Sequence, residues 1–169
     1  MKKYLALTVL LFAFSSAYSQ ATRLVLHEHF TQASCGPCAT YGPPYNALLA
    51  ANPTKIAKIS YQAHFPGTDP MNAANPGPAL TRYNYYSASA VPRVYNQSMY
   101  GAGGSSPASV SQAQIDARYN TAPDWSVTVT HQLTSGYDSA QVVVLVGNAT
   151  SSTLTSGTTG SLKLHLVMV

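Results

Sequence analysis

The sequence predicts a mixed α/β domain followed by an all-β module. Three features carry this expectation. Short apolar runs alternate with helix-prone stretches up to about Asn120, the periodicity changes to two after Pro123, and the remaining apolar runs are joined by Ser, Thr and Gly. The 169 residues suffice for one domain, or one with part of a second, and 46% hydrophobic residues exclude wholesale disorder.

The N-terminus has its own pattern. Met1–Lys2–Lys3 is a positive head, Tyr4 to Phe14 (YLALTVLLFAF) is an apolar core, and Ala17 and Ser19 are small residues placed for cleavage before Gln20. This is the layout of a secretory signal peptide over residues 1–19. A membrane helix is the competing reading, but such a core rises only about 16 Å, roughly half the hydrocarbon thickness. No cysteine stands at the cleavage point to carry a lipid, and no later run approaches spanning length. The chain is therefore expected to be exported into an oxidising envelope compartment, periplasmic or associated with the outer membrane, with no transmembrane segment after cleavage.

Along the remaining chain, Arg23 to Phe30 (RLVLHEHF) reads as a strand that leads into Cys35–Gly36–Pro37–Cys38. Tyr45 to Asn52 is helix-prone and is stopped by Pro53, and Ile56 to Ala63 is a second strand. Phe65 to Pro78 holds four prolines and two glycines, which predicts a loop. A short helix over Ala79 to Ser87 and a strand over Val91 to Asn96 follow. Gly101 to Ser106 is a flexible turn. Ser109 with Gln112 fits a capping box opening a helix to about Asn120. Trp125, Val127, Val129, His131 and Leu133 then alternate with polar residues, predicting a half-buried strand. Ala140 to Val146 and Leu162 to Val169 are two further strands. The boundary falls near Ala122–Pro123–Asp124, separating a domain of residues 20–122 from a module of residues 124–169. Three strands make one small sheet without an opposing sheet, so the module is expected to be an incomplete sandwich.

Charge excludes one class of partner. Removing Lys2 and Lys3 with the leader lowers the formal +4 to +2, too weak a field for nucleic acid. No Gly-x-Gly-x-x-Gly, P-loop or Gly-x-Ser-x-Gly pattern is present to support a nucleotide or serine-hydrolase reading. Asn96–Gln97–Ser98 and Asn148–Ala149–Thr150 match the N-glycan pattern only weakly.

Both cysteines of the chain lie in one Cys-x-x-Cys motif. That spacing serves metal chelation or reversible disulfide exchange. Zinc takes four ligands, and there is no second cysteine pair; His27, Glu28 and His29 are the only nearby donors, so no metal or other cofactor is expected. A permanent structural bridge is the alternative, but so short a loop restricts the unfolded chain little. A strand end, a loop and a helix start would put Cys35 at the positive end of a helix, favouring its thiolate, with Cys38 one turn inside.

Cys35–Gly36–Pro37–Cys38, after a strand ending in Phe30, resembles the active site of the thioredoxin-like superfamily. Pro43 matches the proline that kinks the family's active-site helix, Lys58–Ile59 matches a lysine–apolar step in the next strand, and Val91–Pro92 matches the family's cis-proline. The resemblance covers about Arg23 to Asn120, with Phe65 to Pro78 lengthened. It implies a thioredoxin-like fold, a catalytic pair in Cys35 and Cys38, and a substrate strand held by Gly36, Pro37, Val91 and Pro92. His29 stands where the family has a buried aspartate acting as proton relay, so the resemblance implies that role for His29 with Lys58, at a pH set by a group near 6.5; a packed core histidine on the strand is the other reading. The usual tryptophan before the motif is Ser34 here.

More narrowly, Glu28 to Cys38 followed by an all-β tail is similar to exported envelope proteins of the twenty-eight-kilodalton outer-membrane-protein family, which implies a thioredoxin-like domain joined to a β-sandwich. Two functions follow as expectations. One is an exported thiol–disulfide oxidoreductase whose partners are protein thiols or disulfides of the envelope. The other is a non-enzymatic envelope protein in which that domain is scaffold and the β module binds. Tyr83, Tyr85 and Tyr86, just before Val91–Pro92, either line a peptide groove or pack in the core, the commoner use of tyrosine. Glu28 points away from His29 by alternation and is assigned no role.

Overall fold

The computed structural model describes residues 22–96 and 103–150. The leader, the start of the Gly101–Ser106 turn and the Leu162–Val169 strand lie outside the described residues. The described chain forms two compact units that divide between Thr121 and Ala122.

The first unit is mixed α/β. Its strands are β1 (Val25–Thr31), β2 (Ile56–Gln62) and β3 (Arg93–Tyr95), in the order β2-β1-β3. β1 and β2 are parallel, with Val25 opposite Ile56 and Thr31 opposite Gln62. Parallel neighbours need a crossover, and helix α1 (Gly36–Ala50) supplies it. β3 runs antiparallel to β1, with His29 opposite Val94, and Val94 in turn bridges Ser105.

Because β1 is central, both of its faces are covered, and alternation sends Val25, His27 and His29 one way and Glu28 and Phe30 the other. On the first face Val25, Ile56 and Val94 pack with Tyr45 and Leu49 of α1 and with Val110 and Ile115 near helix α4 (Gln112–Tyr119). On the second, Phe30, Tyr95 and Ala88 pack with Tyr61, Tyr83, Tyr86 and Val91. Phe30 is fully buried and meets four tyrosine rings at centroid distances from 5.1 to 6.1 Å. Tyr83 and Tyr86 therefore pack against the core, whereas Tyr85 is exposed.

Two local expectations are corrected. The Phe65–Pro78 loop contains helix α2 (Pro70–Ala74) and the start of α3 (Pro76–Tyr85). Pro70, Pro76 and Pro78 stand at first-turn positions, where a missing N–H costs nothing, and Asp69 caps α2 by accepting from Met71 and Asn72 N–H. The capping box lies two residues later than expected. Ser109 belongs to a 3-10 turn (Pro107–Ser109), and Ser111 caps α4 with Gln114 as its partner. Buried Val110 and Ile115 flank that cap as a hydrophobic staple, which sets the register.

The second unit is a hairpin of β4 (Trp125–Leu133) and β5 (Ala140–Asn148), antiparallel with Val127 opposite Val146 and Val129 opposite Val144. The predicted strand bounds hold for β4, but its predicted half-burial does not. Val127 and Val129 are more than half exposed, as are Leu145 and Val146 of β5, because no second layer covers either face among the described residues. No described helix is long and apolar enough to cross a membrane.

Candidate redox site at the start of helix α1

The turn between β1 and α1 is built before the cysteines are reached. Gln32 carbonyl accepts the Cys35 N–H at 3.2 Å, and its side-chain oxygen accepts the Ser34 N–H at 2.6 Å. Asp69, buried just before α2, accepts the Ala33 N–H at 2.8 Å, and Ser34 Oγ donates to the Thr68 carbonyl at 2.7 Å. Gly67 is required at this clamp: a Cβ there would lie 2.9 Å from Ser34 Cβ. Burial would raise the Asp69 carboxyl, but the N–H groups of Asn72, Ala33 and Met71 outweigh it and hold it below the usual range.

Cys35 is the N-cap of α1 and Cys38 lies in its first turn. They form a disulfide, with S–S 2.11 Å and Cα–Cα 5.2 Å. The Cys38 N–H donates to Cys35 Sγ at 3.1 Å. The Val91 carbonyl lies 3.8 Å from the same sulfur, and the Val91–Pro92 peptide is cis, as the family resemblance implies. Gly36 and Pro37 are exposed beside the pair, whereas Val91 and Pro92 are half-buried. Both cysteines are buried, 3% and 6% exposed, so accessibility does not separate them. Their difference lies in the N–H donated to Cys35.

Below α1 lies a polar layer. Cys38, Tyr45 and Leu49 form the buried stripe of the helix. The Tyr45 ring is 5.1 Å from that of His29 and 6.1 Å from that of His27, and Tyr45 Oη hydrogen-bonds His27 Nδ1 at 3.1 Å. His29 is buried, and neither ring nitrogen has a hydrogen-bond partner among the described residues. Burial, then the charge of Lys58 and then His27, lowers its pKa to about 4, and burial lowers that of His27 equally far. The expectation of a group titrating near 6.5 is thereby corrected: both imidazoles are neutral at pH 7. Lys58 is exposed and donates to Asn46 Oδ1 at 2.9 Å. No described hydrogen bond joins His29 or Lys58 to either cysteine.

Sequence reasoning assigned Glu28 nothing, yet it anchors the opposite face of β1. Arg82 Nε and Nη2 donate to its two oxygens at 2.5 and 2.6 Å, Tyr61 Oη donates at 3.1 Å, and Tyr86 Oη donates as well. Burial would raise the Glu28 carboxyl, but Arg82 and the two hydroxyls reverse that and hold it low. Burial and then Glu28 push the Tyr61 hydroxyl up to about 12. Alternation showed which way Glu28 points; only the fold brings Arg82 to meet it. Asp69 had a local signal in its Asp-Pro step, which favours turn initiation. Among the described residues no group of three or more His, Cys, Asp or Glu side chains is placed to hold a metal ion. In comparisons with known proteins, the chain matches no family model, no curated protein and no solved structure.

Proposed function

We propose that this chain is an exported thiol–disulfide oxidoreductase with a thioredoxin-like first domain, exchanging disulfides with protein cysteines of the cell envelope. The observation that carries the reading is the Cys35–Cys38 disulfide at a helix N-terminus, with the Val91 carbonyl 3.8 Å from Cys35 Sγ and cis-Pro92 following. In the reduced protein the Cys38 N–H and the positive end of α1 favour the Cys35 thiolate. That thiolate attacks one sulfur of a substrate disulfide; the S–S bond breaks and the departing sulfur takes up a proton. Cys38, as thiolate, then attacks Cys35 Sγ of the mixed disulfide and releases the second substrate thiol. The protein loses two electrons and the substrate gains them; the reverse sequence donates a disulfide. The backbone at Val91, with Gly36 and Pro37 exposed opposite, offers the edge on which an extended substrate would lie.

Insulin reduction by the purified chain with dithiothreitol tests this. The native chain is expected to accelerate reduction over a Cys35→Ser variant, and equal rates would favour the second reading. That reading is a non-enzymatic envelope protein whose β module binds, and the observation favouring it is the exposed apolar surface of Val127, Val129, Leu145 and Val146.

A further inference from the structure

Ser34 precedes Cys35 and carries no ring, and the segment that Ser34 holds is itself preceded by two rings, His64 and Phe65. Ser34 Oγ binds the Thr68 carbonyl at 2.7 Å and its Cβ closely faces Gly67, so the segment beginning at His64 is held against the residue preceding Cys35. Two residues before Gly67, Phe65 is half-buried, with its ring 5.5 Å from Tyr83 and 5.2 Å from His64. His64 also meets Tyr83, at 5.4 Å. Tyr83 is backed by fully buried Phe30 at 5.8 Å, and it packs in the same cluster as Val91, whose carbonyl lies beside Cys35 Sγ. The three rings thus form a shelf fixed from beneath, tied on one side to Ser34 and on the other to the Val91 segment. These rings can stack an apolar side chain, and their ties to Ser34, which precedes Cys35, and to the cluster that holds Val91 say which chain would bring one.

We infer that His64, Phe65 and Tyr83 form a specificity shelf that receives an aromatic or large apolar side chain flanking the cysteine of a substrate polypeptide. This rests on the thiol–disulfide reading and adds the substrate class. The chemistry is that exchange, with the reduced cysteine pair supplying two electrons to the peptide disulfide; the shelf contributes binding alone.

The test uses two synthetic peptides with one disulfide each, one with phenylalanine next to the attacked cysteine and the other with glycine there. Both are reduced by the full chain under dithiothreitol. The native chain should prefer the phenylalanine peptide. Phe65→Ala should lower kcat/KM for that peptide about tenfold and change it less than about twofold for the glycine peptide, with Phe65→Trp restoring the preference. The glycine peptide reports whether the variant still folds and exchanges disulfides. Equal loss on both peptides, or no loss on the phenylalanine peptide, would overturn the shelf while leaving the redox reading intact. If the native chain reduces neither peptide faster than Cys35→Ser, the redox reading fails and the shelf fails with it.

Discussion

The Cys38 backbone N–H points at Cys35 Sγ from 3.1 Å, so one cysteine of the pair is capped by the other's amide. A thiolate on Cys35 would keep that donor and gain the field of α1, while Cys38 has its side chain in the buried stripe of the helix. Once the disulfide is reduced, iodoacetamide below pH 8 is expected to label Cys35 first, read by peptide mass analysis. Because the two residues are similarly buried, equal labelling would contradict the electrostatic difference between them.

Glu28 is 4% exposed and depends on Arg82 for its counter-charge. Arg82→Leu strands a buried carboxylate with only the hydroxyls of Tyr61 and Tyr86 left, and should cost about 3 kcal/mol. Glu28→Gln with Arg82→Leu should recover part of that loss. Urea unfolding of the single and double variants measures both effects, and additive costs would contradict the coupling.

Neutral buried histidines make stability depend on acid. His27 and His29 titrate near 4 when folded and near 6.5 when unfolded, so the unfolded chain binds more protons between those values. Their contribution is complete above about pH 6.5 and is lost as pH falls toward 4, at most about 3 kcal/mol for each. Glu28 and Asp69, both lowered, add their loss only at the acid end of that window and below it. Urea unfolding between pH 7 and pH 5 should show falling stability, with a shallower slope in His29→Asn; a flat native profile would contradict the burial argument.

The clamp on Ser34 predicts a steric effect at a distance from the sulfurs. Gly67→Ala places a Cβ at 2.9 Å from Ser34 Cβ and 3.2 Å from its Oγ, so the turn before Cys35 must shift. Disulfide exchange should slow severalfold, and adding Ser34→Gly should restore part of the rate by removing the opposing atoms. Unchanged exchange in Gly67→Ala would show that the segment gives way instead.

The sequence makes the cysteine site and the alternation of β1 legible because both depend on local spacing. Cys35 at a helix start, Cys38 inside it, and His29 and Glu28 on opposite faces all follow from neighbours in the chain. The Glu28–Arg82 pair spans 54 residues, and no local pattern announces it. The Phe65–Pro78 segment reads as a loop for a different reason: prolines that break a helix interior also begin one, and Asp69 decides between the two uses by capping α2. His29 lies on the strand that alternation predicts, but its pKa depends on how many layers cover it. Strand alternation also located β4 while overstating its burial, since period two marks a face without supplying what covers it.

In the proposed exchange Cys35 attacks the substrate disulfide and Cys38 resolves the mixed disulfide. Cysteine variants incubated with an envelope extract and separated on non-reducing gels test it most directly. Cys38→Ser should accumulate dithiothreitol-sensitive mixed disulfides while Cys35→Ser accumulates none. Trapping by Cys35→Ser alone would reverse the two roles, and trapping by neither would overturn the proposed exchange.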